Sequence, residues 1–267
     1  MTMQCRRFAG RVALVTGSGR GIGKNIARAF AQAGATLAVC DIDEERGKQA
    51  CDELKAVGYD AGFFPVDLGQ KGAPRALLES VVAGLGRIDV IVNNARAGQR
   101  LAFEDETEDN WDLAMAVNLK SVFFLAQAAI PLMPAGGAII NISSVSARLV
   151  SRESASYQAS KAGLLQLTRY LAKVAGPRGV RVNAVLPGFI VQDEHRARYE
   201  QNDNARYREL AGQLHPLGAP GRADDVANAA IFLASVEAAF ITGQAFVVDG
   251  GLTIQDQSAL LMSYAME

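Results

Sequence analysis

Tyr157 and Lys161 stand four residues apart. On a helix, that spacing puts both side chains on one face. A free phenol titrates near about 10, too high for ready proton exchange at neutrality. An adjacent ammonium favours the phenolate, and each unit of lowering takes about 1.4 kcal/mol. A few such units bring a tyrosine into range for general acid–base work. Upstream, Asn141-Ile-Ser-Ser-Val145 leaves an apolar run, so Ser144 stands near the carboxyl end of a strand. A hydroxyl there can hold a substrate oxygen while the tyrosine moves its proton. Tyr-x-x-x-Lys alone arises often by chance on helix surfaces, and a lone serine is as readily a cap or turn residue. The weight of the set depends on what surrounds it.

Far upstream, Thr16-Gly-Ser-Gly-Arg-Gly-Ile-Gly23 lies between a strand pattern and a helix pattern. Glycines let a backbone turn tightly and approach a ligand with no side chain in the way. The helix that follows offers free N–H groups and a positive dipole end to a phosphate. The spacing is Thr-Gly-x-x-x-Gly-x-Gly, and no Lys-Ser/Thr ends it, so a nucleotide triphosphatase loop does not fit. Asp41 ends the next strand, about 20 residues after the turn, where a carboxylate accepts from a ribose diol and repels a 2′-phosphate. That argues for NAD over NADP, although Arg20 is a cation close by. Asp67 follows the third strand, placed either to meet the adenine edge or to cap the next helix.

These residues need a scaffold, and the hydropathy pattern supplies one. Short apolar runs at Val12–Thr16, Thr36–Cys40, Ala61–Val66, Ile88–Val92, Ala138–Ile142, Val180–Leu186 and Ala245–Val248 read as strands. Helical spacing covers 21–33, 44–57, 74–85, a long stretch 111–132, 155–175 and 224–233. Strands that are continuously apolar suit a parallel sheet covered on both faces. With right-handed crossovers, the expectation is a single-domain, doubly wound α/β fold over residues 1–267. Residues 192–217, rich in Arg, Glu, Asn and Asp, follow a strand end and read as a substrate lid or a solvated helical insertion.

Composition narrows the class. The 267 residues are 49% hydrophobic and 21% charged, with a net charge of −1. That is ordinary globular composition. It gives no electrostatic case for nucleic acid or an anionic membrane. Cys5, Cys40 and Cys51 have no Cys-x-x-Cys spacing, and His195 and His215 have no metal-ligand spacing. A disulfide scaffold and a zinc site are not expected, and a reducing cytoplasm suits the cysteines better. No apolar run of about 18 residues suggests a membrane span, and none near Met1–Gly10 suggests a signal peptide.

Taken together, the motifs resemble the classical short-chain dehydrogenases/reductases over nearly the whole chain. The matching residues are Thr16-Gly-x-x-x-Gly-Ile-Gly23, Asn93-Asn-Ala95, Asn118, Ser144, Tyr157-x-x-x-Lys161, Pro187-Gly188, Ile241-Thr-Gly243 and Val248-Asp-Gly-Gly251. The resemblance implies a Rossmann-like domain, hydride transfer between a nicotinamide cofactor and a carbinol or carbonyl carbon, and a homotetramer. It implies Tyr157 as acid/base and Lys161 as the group that lowers its pKa and binds the nicotinamide ribose. Ser144 would orient the substrate oxygen, and Asn118 would hold a water linking Lys161 to solvent. Cofactor contacts are implied at Gly17, Ser18, Arg20, Gly21, Ile22, Gly23, Asp41, Asp67, Asn94, Pro187, Gly188 and Ile190, besides Tyr157 and Lys161. Two positions depart from the family. Arg96 stands where a glycine usually follows Asn-Asn-Ala, with Gly98 the next glycine. Gln192 stands where a threonine usually meets the carboxamide.

The expected reaction is NAD-linked oxidation of a secondary alcohol. Arg148, Arg152 and Glu153, between Ser144 and Tyr157, lean toward a sugar, polyol or hydroxy acid as the small-molecule substrate. A 3-oxoacyl thioester reductase using NADPH is the alternative, and a non-catalytic nucleotide-binding sensor is a further one. Leu260-Leu-Met262 reads either as a subunit contact or as a frayed end.

Overall fold

The computed structural model describes residues 7–256. The tail contact expected at Leu260–Met262, and Cys5, lie outside the described residues. Strands β1 (Val12–Thr16), β2 (Thr36–Asp41), β3 (Ala61–Pro65), β4 (Val90–Asn93), β5 (Ala138–Ile142), β6 (Arg181–Pro187) and β9 (Ala245–Val248) form the main sheet. A pair of two-residue strands, β7 (Ile190–Val191) and β8 (Gly221–Arg222), stands apart. The main order is β3-β2-β1-β4-β5-β6-β9, with every pairing parallel. The chain winds outward one way from β1 and then the other way from β4. Between those strands lies the crevice where such sheets bind ligands, at the carboxyl ends.

Why the strands are apolar throughout follows from the register. Ala13, Val15, Val90, Val92 and Ile140 enter one core, while Leu14, Ile91 and Ile139 enter the other. Alternate side chains point to opposite faces, so a doubly covered strand has no polar face to show. Helices α1 (Gly21–Gln32), α2 (Glu44–Ala56) and α9 (Ala223–Ala234) cover the first face through Ile26, Phe30, Leu54 and Ile231. Helices α3 (Ala73–Leu85), α5 (Ser121–Ala129) and α6 (Ala155–Ala175) cover the second through Leu78, Leu125 and Leu171. Each fully buried side chain of this kind stabilises the fold by roughly 1.5–3 kcal/mol.

The long helix expected at 111–132 is observed as two helices joined by a π turn. Helix α4 (Glu108–Met115) passes through Ala116–Lys120 into α5. Ser121 N–H donates to Ala116 O, five residues back, and Ser121 Oγ donates to Val117 O at 2.6 Å. The extra residue in that turn carries Asn118, which is buried. Single π turns inside helices are frequent where a side chain must be aimed at a site.

Residues 192–217 form α7 (Asp193–Tyr199), a short 3₁₀ turn and α8 (Ala205–Gln213). They leave the stem at β7 and return to it at β8. Ring contacts among Phe189, Tyr199, Tyr207 and His215 tie these helices to each other and to the stem. Among the described residues, no helix is long and apolar enough to cross a membrane. Cys40 and Cys51 are buried free thiols.

At the amino edge of the sheet, Asp89 is 2% exposed and accepts from Val12 N–H at 2.9 Å and from both Nε and Nη2 of Arg87. Its own backbone joins β1 to β5. Replacing Asp89 by Ala leaves a buried N–H without its acceptor. We expect a loss of about 1–3 kcal/mol, read as a lower urea midpoint at an unchanged slope.

Candidate active site

The glycine turn sits at the carboxyl end of β1. Gly17 and Gly21 adopt positive φ, +63° and +53°. At Gly23 an added Cβ would stand 2.1 Å from Gly17 O and 2.4 Å from Asn94 Nδ2. The turn is therefore closed to any side chain at that point. Asn94 is the buttress: its amide donates to the carbonyls of Thr16 and Gly17, both at 3.0 Å, and its backbone N–H donates to Thr16 Oγ1. Helix α1 begins just beyond, with no side-chain bond at its Arg20 cap and no acid in its first turn. By contrast, α2, α4 and α6 are capped by Asp43, Thr107 and Ser154. An uncapped, glycine-lined helix start is the cradle a dinucleotide's phosphates require.

The other expected cofactor residues fall around this cradle, in differing postures. Asp41 accepts from Gly19 N–H at 2.8 Å and Asp43 N–H at 3.0 Å, so its carboxylate is held at the tip of β2 against the turn. Ser18 is fully buried, and its hydroxyl donates to Val15 O and accepts from Cys40 N–H. Ile22, in the first turn of α1, packs against the core, and Arg20 is exposed. Asp67 accepts from Gly69 N–H and Gln70 Nε2, closing the turn after β3. Pro187 ends β6, Gly188 N–H donates to Val248 O, and Ile190 begins the stem. Gln192 lies across the glycine turn: a Cβ on Gly21 would stand 2.1 Å from its Oε1. Asp193 accepts from Asn25 Nδ2 at 2.9 Å beside it.

The titratable set gathers two strands over from β1, at the end of β5. Ser144 caps a short turn and accepts from Ser146 N–H at 3.1 Å. Lys161 is 3% exposed, and its Nζ donates to Ile142 O at 2.7 Å. In return, Ser143 Oγ donates to Lys161 O at 2.9 Å, which locks α6 to the strand tip. Lys161 Nζ lies 5.7 Å from the Tyr157 ring centroid. Burial first, and the charge of Arg96 second, push the Lys161 ammonium down to about 7. Burial raises the Tyr157 phenol above its ordinary range, against a hydrogen bond with Ser144 and the nearby charge of Arg96, which both lower it.

Asn118 brings two more pieces into place. Its Oδ1 accepts from Ala97 N–H at 2.8 Å, and its Nδ2 donates to Ser160 Oγ at 3.1 Å and Ala97 O at 3.3 Å. It thus joins the loop after β4 to the helix that carries Tyr157. Several supporting residues were missing from the sequence reading. Asn110 accepts from Gln99 N–H at 2.6 Å, and Glu106 accepts from the N–H and hydroxyl of Ser156 at the start of α6. A buried chain runs from Asn93 to Asn141 to Thr168 across β4, β5 and α6. Polar residues within otherwise apolar runs were the available signal, but their partners lie far away in sequence. Of the charged residues between Ser144 and Tyr157, Arg148 and Arg152 face solvent, whereas Glu153 turns inward.

Comparison with known proteins identifies the family and the fold. The family model described as "Enoyl-(Acyl carrier protein) reductase" matches residues 17–253. A Rhizobium meliloti protein named "Probable galactose dehydrogenase" is 40% identical over 91% of this chain and 94% of its own length. A Chlamydia pneumoniae 3-oxoacyl-[acyl-carrier-protein] reductase is 35% identical over 92% of this chain and 98% of its own. Among solved structures, a gluconate 5-dehydrogenase from Burkholderia cenocepacia, in complex with NADP and tartrate, superposes with a TM-score of 0.83. It is 35% identical, over 95% of this chain and 98% of that one. Kinship along nine-tenths of the sequence and a shared parallel-sheet fold lead to one conclusion: the chain belongs to the classical short-chain dehydrogenase/reductase family.

Proposed function

We propose that this protein oxidises a polar secondary alcohol, a sugar, polyol or hydroxy acid, with NAD as hydride acceptor. One observation carries the reading. Ser144, Tyr157 and Lys161 converge at the carboxyl end of β5, close to a glycine turn that leaves a helix start uncapped. The nicotinamide, when bound, supplies the acceptor for the hydride.

The chain's own residues handle the proton. A substrate hydroxyl lying between Ser144 Oγ and Tyr157 Oη receives a hydrogen bond from the serine and gives its proton to the tyrosine oxygen. Ser144, by bonding the phenol, already offsets part of the burial that disfavours phenolate. Lys161 is fixed by Ile142 O on the same side as the phenol ring. Asn118 acts as a positioning residue, since its amide ties the loop after β4 to α6; a relay water there would share an amide already engaged by Ala97 and Ser160. Residues 192–217 serve as the lid in this reading, which their two-strand stem and the position of Gln192 over the glycine turn support. Exposed Trp111, Leu113 and Phe124 on α4 and α5, with Tyr170 and Val174 on α6, support assembly into a homotetramer.

The carboxylate of Asp41 at the tip of β2 supports NAD over NADP, because a 2′-phosphate would face it. NADP in the gluconate 5-dehydrogenase structure and in an angucycline ketoreductase structure argues the other way. Side-by-side kinetics decide: we expect higher kcat/KM with NAD, and a narrower gap in Asp41→Ala. A preference for NADPH with acyl thioester ketones would select the 3-oxoacyl reductase instead.

Tyr157→Phe tests the mechanism directly. It removes the only atom of that side chain that exchanges a proton, so turnover falls by about 10²–10⁴-fold. Cofactor affinity, read by nicotinamide fluorescence, stays close to wild type. Unchanged turnover would sink the proposal, and absence of turnover in the wild type with every alcohol tried would favour the sensor.

The pH dependence has a definite sign. Burial keeps Tyr157 protonated beyond the ordinary phenol range in the free protein. Oxidation draws on the deprotonated form, so its kcat/KM climbs with pH, about tenfold per unit while the phenol holds its proton. Carbonyl reduction draws on the protonated form and stays level over the same range. A flat oxidation profile through the neutral and alkaline range would contradict this assignment.

A further inference from the structure

We propose that Arg96 and Arg100 form a carboxylate-binding site beside Tyr157, so that the alcohol taken by this enzyme is a hydroxy acid of the aldonate type. The proposal rests on the oxidoreductase reading above and narrows its substrate class.

The geometry starts with Arg96, at the position where the family resemblance leads one to expect glycine. Its guanidinium carbon lies 5.5 Å from the centroid of the Tyr157 ring. The side chain is 55% exposed, and its one ion pair, to Glu153 Oε2, is loose at 3.9 Å. Among the described residues it makes no hydrogen bond to a side chain or carbonyl. Arg100 takes the other oxygen of Glu153 in a close ion pair. Two guanidinium groups thus share one carboxylate, whose side chain is only 17% exposed. The cluster keeps an uncompensated positive charge at the mouth of the site, and the buried Lys161 beneath it adds no anion.

These cations are held in place. Between them, Gly98 adopts φ +94°, which turns the loop so that residues 96 and 100 both reach Glu153. Asn118 binds both polar atoms of the Ala97 backbone, and Asn110 binds Gln99 N–H. The loop has therefore lost most of its freedom before any substrate arrives, and such preorganisation strengthens binding. A guanidinium presents a planar fork that matches a carboxylate with two parallel hydrogen bonds. A neutral sugar hydroxyl can accept from that fork but brings no charge to balance the cation, so its hydrogen bonds are weaker than a carboxylate's. The Arg96 guanidinium carbon is 5.5 Å from the Tyr157 ring centroid, so a carboxylate on Arg96 and a hydroxyl reacting at Tyr157 belong to one small hydroxy acid, and the aldonates are the polar members of that class proposed here.

Binding measurements separate this from the oxidoreductase reading. Protein saturated with NADH is titrated with gluconate against glucitol and with xylonate against xylitol, using nicotinamide fluorescence. Within each pair the molecules differ only in carboxylate against hydroxymethyl. We expect the acid to bind at least about tenfold tighter in one pair, as a charge-assisted, bidentate carboxylate contact allows. Arg96→Gln then weakens that acid by about 10–100-fold, and Arg100→Gln weakens it in the same direction. Neither variant shifts the neutral partner or NADH by more than about twofold, on the same scale. Equal affinity within both pairs, or an equal fall for acid and alditol in Arg96→Gln, overturns the proposal. A fall confined to NADH assigns Arg96 to the cofactor and overturns it as well. Failure of the oxidoreductase reading looks different: no NADH forms from any alcohol, while the acid preference survives.

Discussion

A single buried ammonium organises much of this molecule. Lys161 Nζ reaches back from α6 to the carbonyl of Ile142, and Ser143 reaches forward to the carbonyl of Lys161. Burying a charge without partners is costly, so this reciprocal clasp both satisfies the lysine and sets the helix on the strand tip. The rest follows from that fixing. Tyr157 lies one turn earlier on the same helix and is carried to the side of Ser144. Asn118 completes the attachment through Ser160, also on α6, which requires the π turn that aims it. Four elements thus meet at one point because one helix is pinned.

Element order and type were legible because they rest on local signals. A strand buried on both faces must be apolar at every position, and Val12–Thr16 and Ala138–Ile142 read that way before any partner is known. The glycine turn was legible for a similar reason: four glycines within seven residues have few uses other than close backbone approach. The placement of Tyr157 and Lys161 on one helix face followed from spacing alone. What sequence could not reveal was long-range polar pairing. Asn110 meets Gln99, Glu106 meets Ser156, and Asn93 meets Asn141. Each partner is brought near only by the winding of the sheet, and no periodicity encodes that. The π turn was hidden too, since the apolar spacing of 111–132 reads through it without a break.

The loop after β4 illustrates how a departure from a family pattern gains physical meaning. On sequence, Arg96 in place of glycine threatened the loop's shape. In the structure, the loop's left-handed conformation is found at Gly98, where an L side chain would be strained. An added Cβ at Gly98 would also stand 3.1 Å from Ala114. The left-handed turn of this loop lies at Gly98, and residue 96 carries a guanidinium to the rim of the site.

That guanidinium acts on both titrating groups in the same direction. The charge of Arg96 lowers Lys161, where burial already does the same, and it also lowers Tyr157, where burial does the opposite. A cation always favours loss of a proton from its neighbours, whatever their type. An anion that pairs with Arg96 weakens this influence, so proton affinity rises at both groups. For Tyr157 that opposes oxidation, since it raises the group that must accept a proton. The hydrogen bond with Ser144 remains and still favours the phenolate. A site that recruits an acid through Arg96 must therefore rely on Ser144, not on the arginine, to favour the phenolate of its tyrosine.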